Sequence, residues 1–504
     1  MKRRIAGFIL ASAVCCAQDF ERNWRGETLT IRLRAGAVGN LAWQLDTLAG
    51  HTLTKPKDYE DLWRNDLAWT AEDARQLGLW SALHRRYRGR KTENRKVKTD
   101  YPPNYARFYG GAVSRDYSFR LAAFDAPNLE AARQSYRKLC GSACSGSFVE
   151  ILEHFWPRFT SWWQREGLAT ASKSIPQMAA RMGDFGLGAL CQSGIRLTAA
   201  QVPSHPQVSL DVVVHPKKYL TNTSGTVMDD HILLEAVDHL EIGAPETLNA
   251  FALHELIHHF YDLAPREKHL RLIEAFIQRP EPYSMAAYSV LNEAVAASVQ
   301  MLGEKRQRSP DEYAKYIAKD DNVYFDPFIS KVARATIPLI EARIVSGQSI
   351  FDEGFVDAYL QRVGAALGPL RESARFLLSS RVLIAWAGGK EAKSQVQWQV
   401  RGIVGQDSWN DLKASPNLSG VVFVTQADLN RLGRNAGVVP AEIVASVTRA
   451  ARDHDSFTYV WQRSPKAKIY FLYGLDEKRL NYVSWKLIHL DTPLDGLTIS
   501  AAGH

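Results

Sequence analysis

Residues 245–262 read Pro-Glu-Thr-Leu-Asn-Ala-Phe-Ala-Leu-His-Glu-Leu-Ile-His-His-Phe-Tyr-Asp, and this stretch decides how the middle of the chain folds. Pro245 suits the first turn of a helix, where its missing N–H costs nothing, and Glu246 suits the positive helix N-terminus. Apolar residues then recur at helical spacing until Asp262 to Pro265 end the pattern. The sequence therefore predicts a helix that begins near Pro245 and ends near Asp262.

Two histidines four residues apart on this helix form the strongest chemical signal in the chain. Because His254 and His258 lie on one helix face, both imidazoles can reach a single metal ion. Glu255 lies beside them and can accept a proton from a water on that metal. Zinc is the expected ion, with one per chain. A structural metal site and a pair of hydrogen-bonded core histidines are the alternative interpretations.

The His-Glu-x-x-His pattern, on a helix that follows a predicted strand, resembles the zincin metallopeptidases. The resemblance covers mainly residues 207–300, less than a fifth of the chain. A metzincin would need a further histidine where this chain has Ala264 and a glycine where it has Tyr261, so that subclass does not fit.

A catalytic zinc ion takes three protein ligands, so a third ligand must come from elsewhere in the chain. Residues 291–297 read Leu-Asn-Glu-Ala-Val-Ala-Ala and resemble the Asn-Glu helix of gluzincins such as thermolysin and the zinc aminopeptidases. The resemblance implies that Glu293 is the third metal ligand. Glu274, on a predicted amphipathic helix, is the main competitor for that role, and Glu281 is a weaker one.

The predicted ligand helix is rich in alanine, and this small-residue surface allows close approach to the motif helix. One position departs from the gluzincin pattern. Many gluzincins carry an aspartate four residues after the ligand glutamate, where it orients a zinc-bound histidine, and this chain has Ala297 there. Another acceptor must then hold His254, or the site is weaker than usual.

The resemblance implies hydrolysis of a peptide bond, with Glu255 as the general base that takes a proton from water. Tyrosine or histidine commonly stabilises the oxyanion in such enzymes, and the candidates here are Tyr283, Tyr288 and Tyr359. A tyrosine on an apolar helix face is more often a core residue. The predicted strand Ile232 to Val237 corresponds in order to the zincin edge strand, which binds an extended peptide.

The 504 residues are 46% hydrophobic and 23% charged, a globular composition that excludes collagen-like, low-complexity and small disulfide-rich proteins. We predict a multidomain α+β protein. Its regions are a mainly helical N-terminal region at 18–200, a zincin-like metallopeptidase domain at 201–388 with a small sheet plus helices, and a small α+β domain at 389–504. An aromatic stripe at 148–163 is predicted to be a buried helix face.

Periodicity predicts the other elements. Strands are expected at 28–34, 207–214 and 232–237, with a turn at 217–226, and in the C-terminal region at 396–404, 420–424, 457–462 and 468–473. Helices are expected at 266–279, 285–303, 328–345, 353–367 and 439–452. A hairpin turn is expected at 463–466.

Residues 1–17 have the pattern of a secretory signal peptide, because a basic start precedes an apolar stretch too short to span a bilayer. Small residues at Cys15 and Ala17 favour cleavage after Ala17, which predicts a secreted or periplasmic protein. A lipid anchor on Cys15 or Cys16 is the less favoured alternative, since the preceding residues make a poor lipobox. We expect no transmembrane segment in the mature chain.

The formal net charge of +8 becomes +5 when the three basic residues of the leader are removed. Much of the remainder lies in residues 84–98, where eight basic residues accompany one acidic residue. We interpret this run as a solvated loop, because no recognisable nucleic-acid module accompanies it and export makes genome binding implausible. No nucleic-acid partner is expected.

Three cysteines follow the predicted cleavage site. In an oxidising compartment Cys140 and Cys144 could close a small disulfide, which would leave Cys191 unpaired. Buried free thiols are the alternative. A zinc site is disfavoured, since the Cys-x3-Cys spacing has no second pair of ligands.

Together these patterns predict a zinc-dependent metallopeptidase that acts on a peptide or protein substrate. Its predicted metal ligands are His254, His258 and Glu293, and its predicted general base is Glu255. The alternative is a noncatalytic cell-envelope or binding protein that retains a degenerate zincin domain. The sequence does not distinguish endopeptidase from exopeptidase action, and it does not show the oligomeric state.

Overall fold

The computed structural model describes residues 19–27, 29–52, 57–87, 115–216, 224–228, 231–236, 245–305, 308–318, 326–386, 388–399, 404–406, 408–434 and 438–499. These residues form two compact units. Within the described ranges, the first unit takes 19–87, 115–183 and 207–252, and the second takes 184–206 and 253–499. The predicted signal peptide and most of the predicted basic run lie outside the described residues.

Five strands form one mixed sheet in the first unit. They are β1 (Phe20–Arg25), β2 (Thr30–Ala35), β3 (Gln207–Val214), β4 (Ser224–Met228) and β5 (His231–Ala236). The order is β1-β2-β3-β5-β4, in which β2, β3 and β5 run parallel while β1 and β4 are antiparallel to their neighbours. Leu33, Leu210 and Ile232 lie side by side across the three parallel strands, and all three are fully buried.

The strands predicted at 28–34 and 207–214 are confirmed as β2 and β3. The prediction that Ile232 to Val237 is an edge strand is wrong, because β5 lies between β3 and β4, and Val237 is outside the described residues. The edge strands are β1 and β4, and β4 overlaps the predicted turn at 217–226. Its Ser224-Gly225-Thr226 start has the composition of a turn, and pairing with β5 makes it a strand.

Seven helices accompany this sheet in the chain. They are α1 (Ala37–Leu48), α2 (Lys57–Asn65), α3 (Ala71–Tyr87), α4 (Arg115–Phe124), α5 (Leu129–Cys140), α6 (Ser142–Trp162) and α7 (Leu168–Phe185). Helix α1 is buried along nearly its whole length. The Asn40 side chain donates to the carbonyl of Val212 and accepts from the N–H of Val214, and so ties α1 to β3.

The two units differ from the three predicted regions for a topological reason. A parallel strand pair needs a long crossover connection, and here α1 to α7 lie in the connection between β2 and β3. A boundary near residue 200 would separate these two paired strands.

The aromatic stripe at 148–163 is confirmed as a buried face of α6 and the π-helical turn that follows it. Its fully buried aromatic residues are Phe148, Phe155, Phe159, Trp162 and Trp163.

A disulfide between Cys140 and Cys144 joins the end of α5 to the start of α6, while Cys191 is a buried free thiol. The alternative of free thiols at 140 and 144 is therefore wrong.

A buried carboxylate, Asp46 of α1, links three helices of the first unit. It accepts hydrogen bonds from Trp80 Nε1 at 2.8 Å and Arg120 Nε at 2.6 Å, and it lies 3.3 Å from His84 Nε2. Burial by itself raises the pKa of Asp46, but His84 and Arg120 outweigh burial and hold the pKa below its ordinary value. The ionised form is therefore the one that the fold requires.

The second unit begins with helices, and five of them confirm the helices predicted at 245–262, 266–279, 285–303, 328–345 and 353–367. Three more, Leu187–Leu197, Pro310–Ala318 and Ala374–Leu377, have no counterpart in the prediction. In chain order these helices are α8 (Leu187–Leu197), α9 (Pro245–Asp262, of which 253–262 belong to this unit), α10 (Arg266–Gln278), α11 (Ser284–Lys305), α12 (Pro310–Ala318), α13 (Pro327–Ser346), α14 (Glu353–Leu367) and α15 (Ala374–Leu377). Helix α11 packs along α13, where Ser298 Oγ donates to the carbonyl of Ala333 at 2.9 Å. Gly194 permits close approach of α8 to α9, since a Cβ there would lie 2.4 Å from Ile257 Cδ1.

A six-stranded sheet follows in the same unit. Its strands are β6 (Ser380–Ala385), β7 (Val404–Gln406), β8 (Ser419–Thr425), β9 (Ser456–Ser464), β10 (Ala467–Gly474) and β11 (Gly496–Ile499), in the order β11-β9-β10-β8-β6-β7. The intervening α-helices are α16 (Lys390–Gln399), α17 (Trp409–Ala414), α18 (Leu429–Gly433), α19 (Ala441–Asp453) and α20 (Glu477–Ile488). Helices α16 and α20 cover one face, and α17, α18 and α19 cover the other.

The strands predicted at 420–424, 457–462 and 468–473, the hairpin and the helix at 439–452 are confirmed. The strand predicted at 396–404 is wrong, because α16 extends to Gln399 and β7 begins only at Val404. Ala392 and Val396, four residues apart, both face the sheet, which is the helical rather than the strand period. Strand β6 was not predicted.

The α+β class is confirmed by these two sheets and their helices. Within the described part of the chain, no helix combines the length and the apolar character that a membrane crossing requires.

We predict that Asp46→Asn destabilises the protein strongly. The amide keeps the shape but removes the charge, and this leaves Arg120 buried without its ionic partner, a loss of about 3 to 5 kcal/mol in the free energy of unfolding. Urea denaturation followed by circular dichroism measures the loss. Glu72→Gln, at an exposed ion pair with Arg75, is the control and should barely move the midpoint. Equal midpoints for Asp46→Asn and wild type would contradict this account.

Candidate metal centre

Two helices of the second unit bring the predicted site residues together. His254 and His258 lie one turn apart on α9, and Glu293 lies in the middle of α11. The opposite side of α9 is anchored by fully buried apolar residues, among them Leu256 and Phe260. The motif face of α9 is thereby turned toward α11.

The three predicted ligand groups converge on one point. His254 Nε2 and His258 Nε2 are 3.0 Å apart, and each lies 3.3 Å from the same carboxylate oxygen, Oε2 of Glu293. Their side chains are 6%, 12% and 21% exposed, so the cluster is largely shielded yet open on one side. No other group of three His, Cys, Asp or Glu residues in the described ranges meets the same condition.

These distances can be compared with what a metal ion requires. Ligands about 2.0 to 2.1 Å from a tetrahedral zinc ion lie about 3.3 to 3.4 Å from one another. The observed triangle has edges of 3.0, 3.3 and 3.3 Å. Two imidazole nitrogens and one carboxylate oxygen are also a donor set that suits zinc. The residues therefore fit a zinc ion held by three protein ligands.

Opposite charges within the cluster shift the pKa values of His258 and Glu293. Burial by itself lowers the pKa of His258, but the Glu293 carboxylate outweighs burial and raises that pKa above its ordinary value. Burial by itself raises the pKa of Glu293, but His258 and His254 outweigh it and hold that pKa well below its ordinary value. A metal ion that binds here therefore competes with a proton on His258.

Glu255 is the second carboxylate at this centre. It is 7% exposed, and burial raises its pKa against the opposing effects of His258 and His254. A buried carboxyl with a raised pKa beside a cationic centre has the properties of a group that accepts and returns a proton.

Asn292, the residue before Glu293, is a further polar group beside this cluster. Its Oδ1 and Nδ1 of His258 are both buried, and neither forms a hydrogen bond of ordinary geometry within the described residues. The Asn292 side chain nevertheless lies close enough to raise the pKa of His258. Because Nε2 of His258 points at Glu293, Nδ1 is the atom available to a supporting acceptor. In the sequence, Asn292 is part of the Asn-Glu pattern, and no local signal there gives it a role of its own.

The competing carboxylates do not join the cluster. Glu274 lies on an exposed position of α10, and Glu281 lies in the segment between α10 and α11. Neither contributes an atom to the group of ligands that includes Glu293. The placement expected for Glu293, rather than for Glu274, is the one found.

Two of the three tyrosine candidates have other partners. The hydroxyl of Tyr283 donates to the carbonyl of Leu360 at 3.2 Å, and the hydroxyl of Tyr359 donates to the carbonyl of Ala287 at 3.0 Å. Both tyrosines are buried and tie α11 to α14. Tyr288 is 6% exposed and packs its ring against Phe276. All three therefore have core contacts.

Ala297, which replaces the expected aspartate, is fully buried on α11. The neighbouring Ser298 uses its hydroxyl for a helix-to-helix contact with α13. The small-residue surface of α11 thus serves close packing in this unit.

Comparison with known proteins gives no further guide to this centre. No protein family, no curated protein and no solved structure matches the chain.

Proposed function

We propose that the protein is a zinc-dependent metallopeptidase of zincin type, with one zinc ion per chain held by His254, His258 and Glu293. The observation that carries the proposal is the convergence of three ligand atoms, from two helices, within 3.3 Å of one another. The buried Glu255 beside them supplies the second requirement of hydrolysis, a proton acceptor.

Zinc, when bound, supplies a Lewis acid that polarises a carbonyl group and lowers the pKa of water. The roles of the chain's own residues follow from their positions. Glu255 accepts the proton that the attacking water loses, and it returns that proton to the nitrogen of the leaving amine. The substrate of this reaction is a peptide or protein.

A specific observation favours the rival function, a noncatalytic binding protein with a degenerate site. The hydroxyls of Tyr283 and Tyr359 are bound to helix carbonyls, so two expected oxyanion donors are engaged elsewhere. Such a protein would bind zinc and would not cleave peptides.

We also propose that the chain is exported, to the periplasm or outside the cell. The disulfide between Cys140 and Cys144 supports export, because disulfides persist in oxidising compartments.

Export predicts a mature protein that begins at or near Gln18. N-terminal sequencing of the protein purified from the cell envelope or medium measures this directly. An intact Met1 on a cytosolic form would refute the proposal, and a lipid-modified cysteine would replace secretion with anchoring.

Replacement of Glu255, Glu293 and Glu274 should give three different results. Glu255→Gln should retain zinc, because all three ligands remain. Its activity should fall by about 100-fold to 10,000-fold, because the proton acceptor is gone. Glu293→Ala should lose both zinc and activity, since one of three protein ligands is absent. Glu274→Ala, the matched control on an exposed helix position, should behave as wild type.

Metal content by mass spectrometry and cleavage of a mixed peptide library, with and without a chelator, measure both properties. A zinc-replete Glu293→Ala together with a zinc-free Glu274→Ala would overturn the ligand assignment. Zinc binding by the wild type without any chelator-sensitive cleavage would favour the noncatalytic rival.

Asn292→Leu should weaken zinc binding without lowering the stability of the metal-free fold. We propose that Asn292 Oδ1 supports Nδ1 of His258 once Nε2 binds a metal ion, so its loss should weaken zinc binding by about 10-fold to 100-fold. Removing a buried oxygen that lacks a good hydrogen bond should leave the metal-free fold equally stable or more stable. Chelator competition and urea denaturation measure the two quantities.

Two further variants complete this experiment. Asn292→Asp keeps an acceptor oxygen and should retain zinc, whereas Gln300→Leu, about two turns along α11, should leave zinc affinity unchanged. If Asn292→Leu lowered stability and zinc affinity in parallel, its role would be packing alone.

A further inference from the structure

The last turn of α9 is held by a histidine that lies outside the metal cluster. His269 of α10 is 3% exposed. Its ring meets those of Tyr261 and Phe351 edge-on, with centroids 5.0 and 4.9 Å away. Tyr261 and Phe351 stack on each other at 5.6 Å, so the imidazole lies in an aromatic cage formed by these two rings.

The same imidazole is bound to the backbone of α9. A ring N–H of His269 donates to the carbonyl of Tyr261, one of the last carbonyls of the helix. Tyr261 lies three residues after His258, within one helical turn. A contact that fixes the backbone at Tyr261 therefore also restrains the proposed metal ligand.

The electrostatic surroundings favour the neutral imidazole. Burial lowers the pKa of His269 to about 4, against the raising effect of the Tyr261 carbonyl. Two acids on the neighbouring segments have other partners: Asp262 of α9 interacts with His258, and Asp352, next to Phe351, pairs with Arg343. A proton on His269 would bring a charge into a buried cage of apolar rings, where burial disfavours it.

We propose that His269 is a positioning residue that holds the metal-bearing end of α9 only while its imidazole is neutral, so that acid loosens the metal centre from outside. The effect on metal rests on the proposed zinc-binding function. Protonation adds a second N–H, which needs an acceptor, and a charge, which needs solvent. Both requirements draw the ring out of the cage and release the last turn of α9.

The sign of the pH dependence follows from linkage. The folded-state pKa of His269 lies below the ordinary value of 6.5, so the unfolded chain binds the proton first as pH falls. The stabilising contribution is complete above about pH 6.5 and is lost as the pH falls toward about 4. Between pH 7 and pH 4.5 this single group lowers the folding equilibrium constant on the order of 100-fold.

The test uses the full chain as wild type, as His269→Phe and as the control His489→Phe, which changes an exposed histidine. Urea denaturation of the metal-free proteins at pH 7 and pH 4.5 gives the acid loss of stability. We expect His269→Phe to lose on the order of 100-fold less than wild type, and His489→Phe to behave as wild type. Equal acid losses for all three proteins overturn the proposal.

A second measurement does not depend on any variant. NMR titration of the His269 ring in the wild-type protein should show a transition near pH 4, and a transition near pH 6.5 overturns the proposal even if His269→Phe does not fold.

Zinc affinity by chelator competition tests the coupling to the metal centre. From pH 7 to pH 5, wild type should lose more affinity than His269→Phe, and equal losses overturn the coupling. A chain that binds no zinc at pH 7 refutes the proposed function instead, while the metal-free measurements still decide the role of His269.

Discussion

The Glu293 carboxylate faces two imidazole nitrogens at 3.3 Å, and this arrangement requires a proton or a metal ion between the groups. Lone pairs so close together repel one another unless a hydrogen or a cation lies between them. A proton on His258, whose pKa the Glu293 carboxylate raises, meets this requirement in the metal-free centre, and a divalent cation can engage all three groups at once. Positive charge on the two histidines also favours the ionised form of Glu255, since burial alone favours its neutral form.

Such a charged cluster keeps its geometry only if both helices resist movement. Helix α11 is held by Tyr283 and Tyr359, which bond it to α14, and by Ser298, which bonds it to α13. Two residues that the sequence offered as oxyanion donors thus serve as supports for the helix of Glu293. The alanine-rich surface has a matching role, because small side chains allow the backbone of α13 to approach within hydrogen-bond reach of Ser298.

The local parts of this structure could be predicted from the sequence. Four-residue spacing places His254 and His258 on one face whatever surrounds the helix, and the Asn-Glu pattern identified Glu293 among several acids. The failures concern contacts between distant segments. No local signal shows that β4 pairs outside β5, and the apolar residues near Val396 suit a strand and a helix equally. The buried acceptor on Asn292 also becomes visible only when α9 and α11 are placed together.

In the candidate metal centre, Glu293 on α11 and His258 on α9 are not held equally firmly by the surrounding structure. Glu293 lies mid-helix, with tyrosine and serine contacts on several sides of α11, whereas His258 lies one turn from the end of α9. Past that point the helix is tied by the backbone bond from Gln201 to Leu263 and by the ring of His269. The position of His258 therefore depends on these few contacts at the end of α9. Because three ligands must converge on one ion, movement of His258 alone is enough to lower metal affinity.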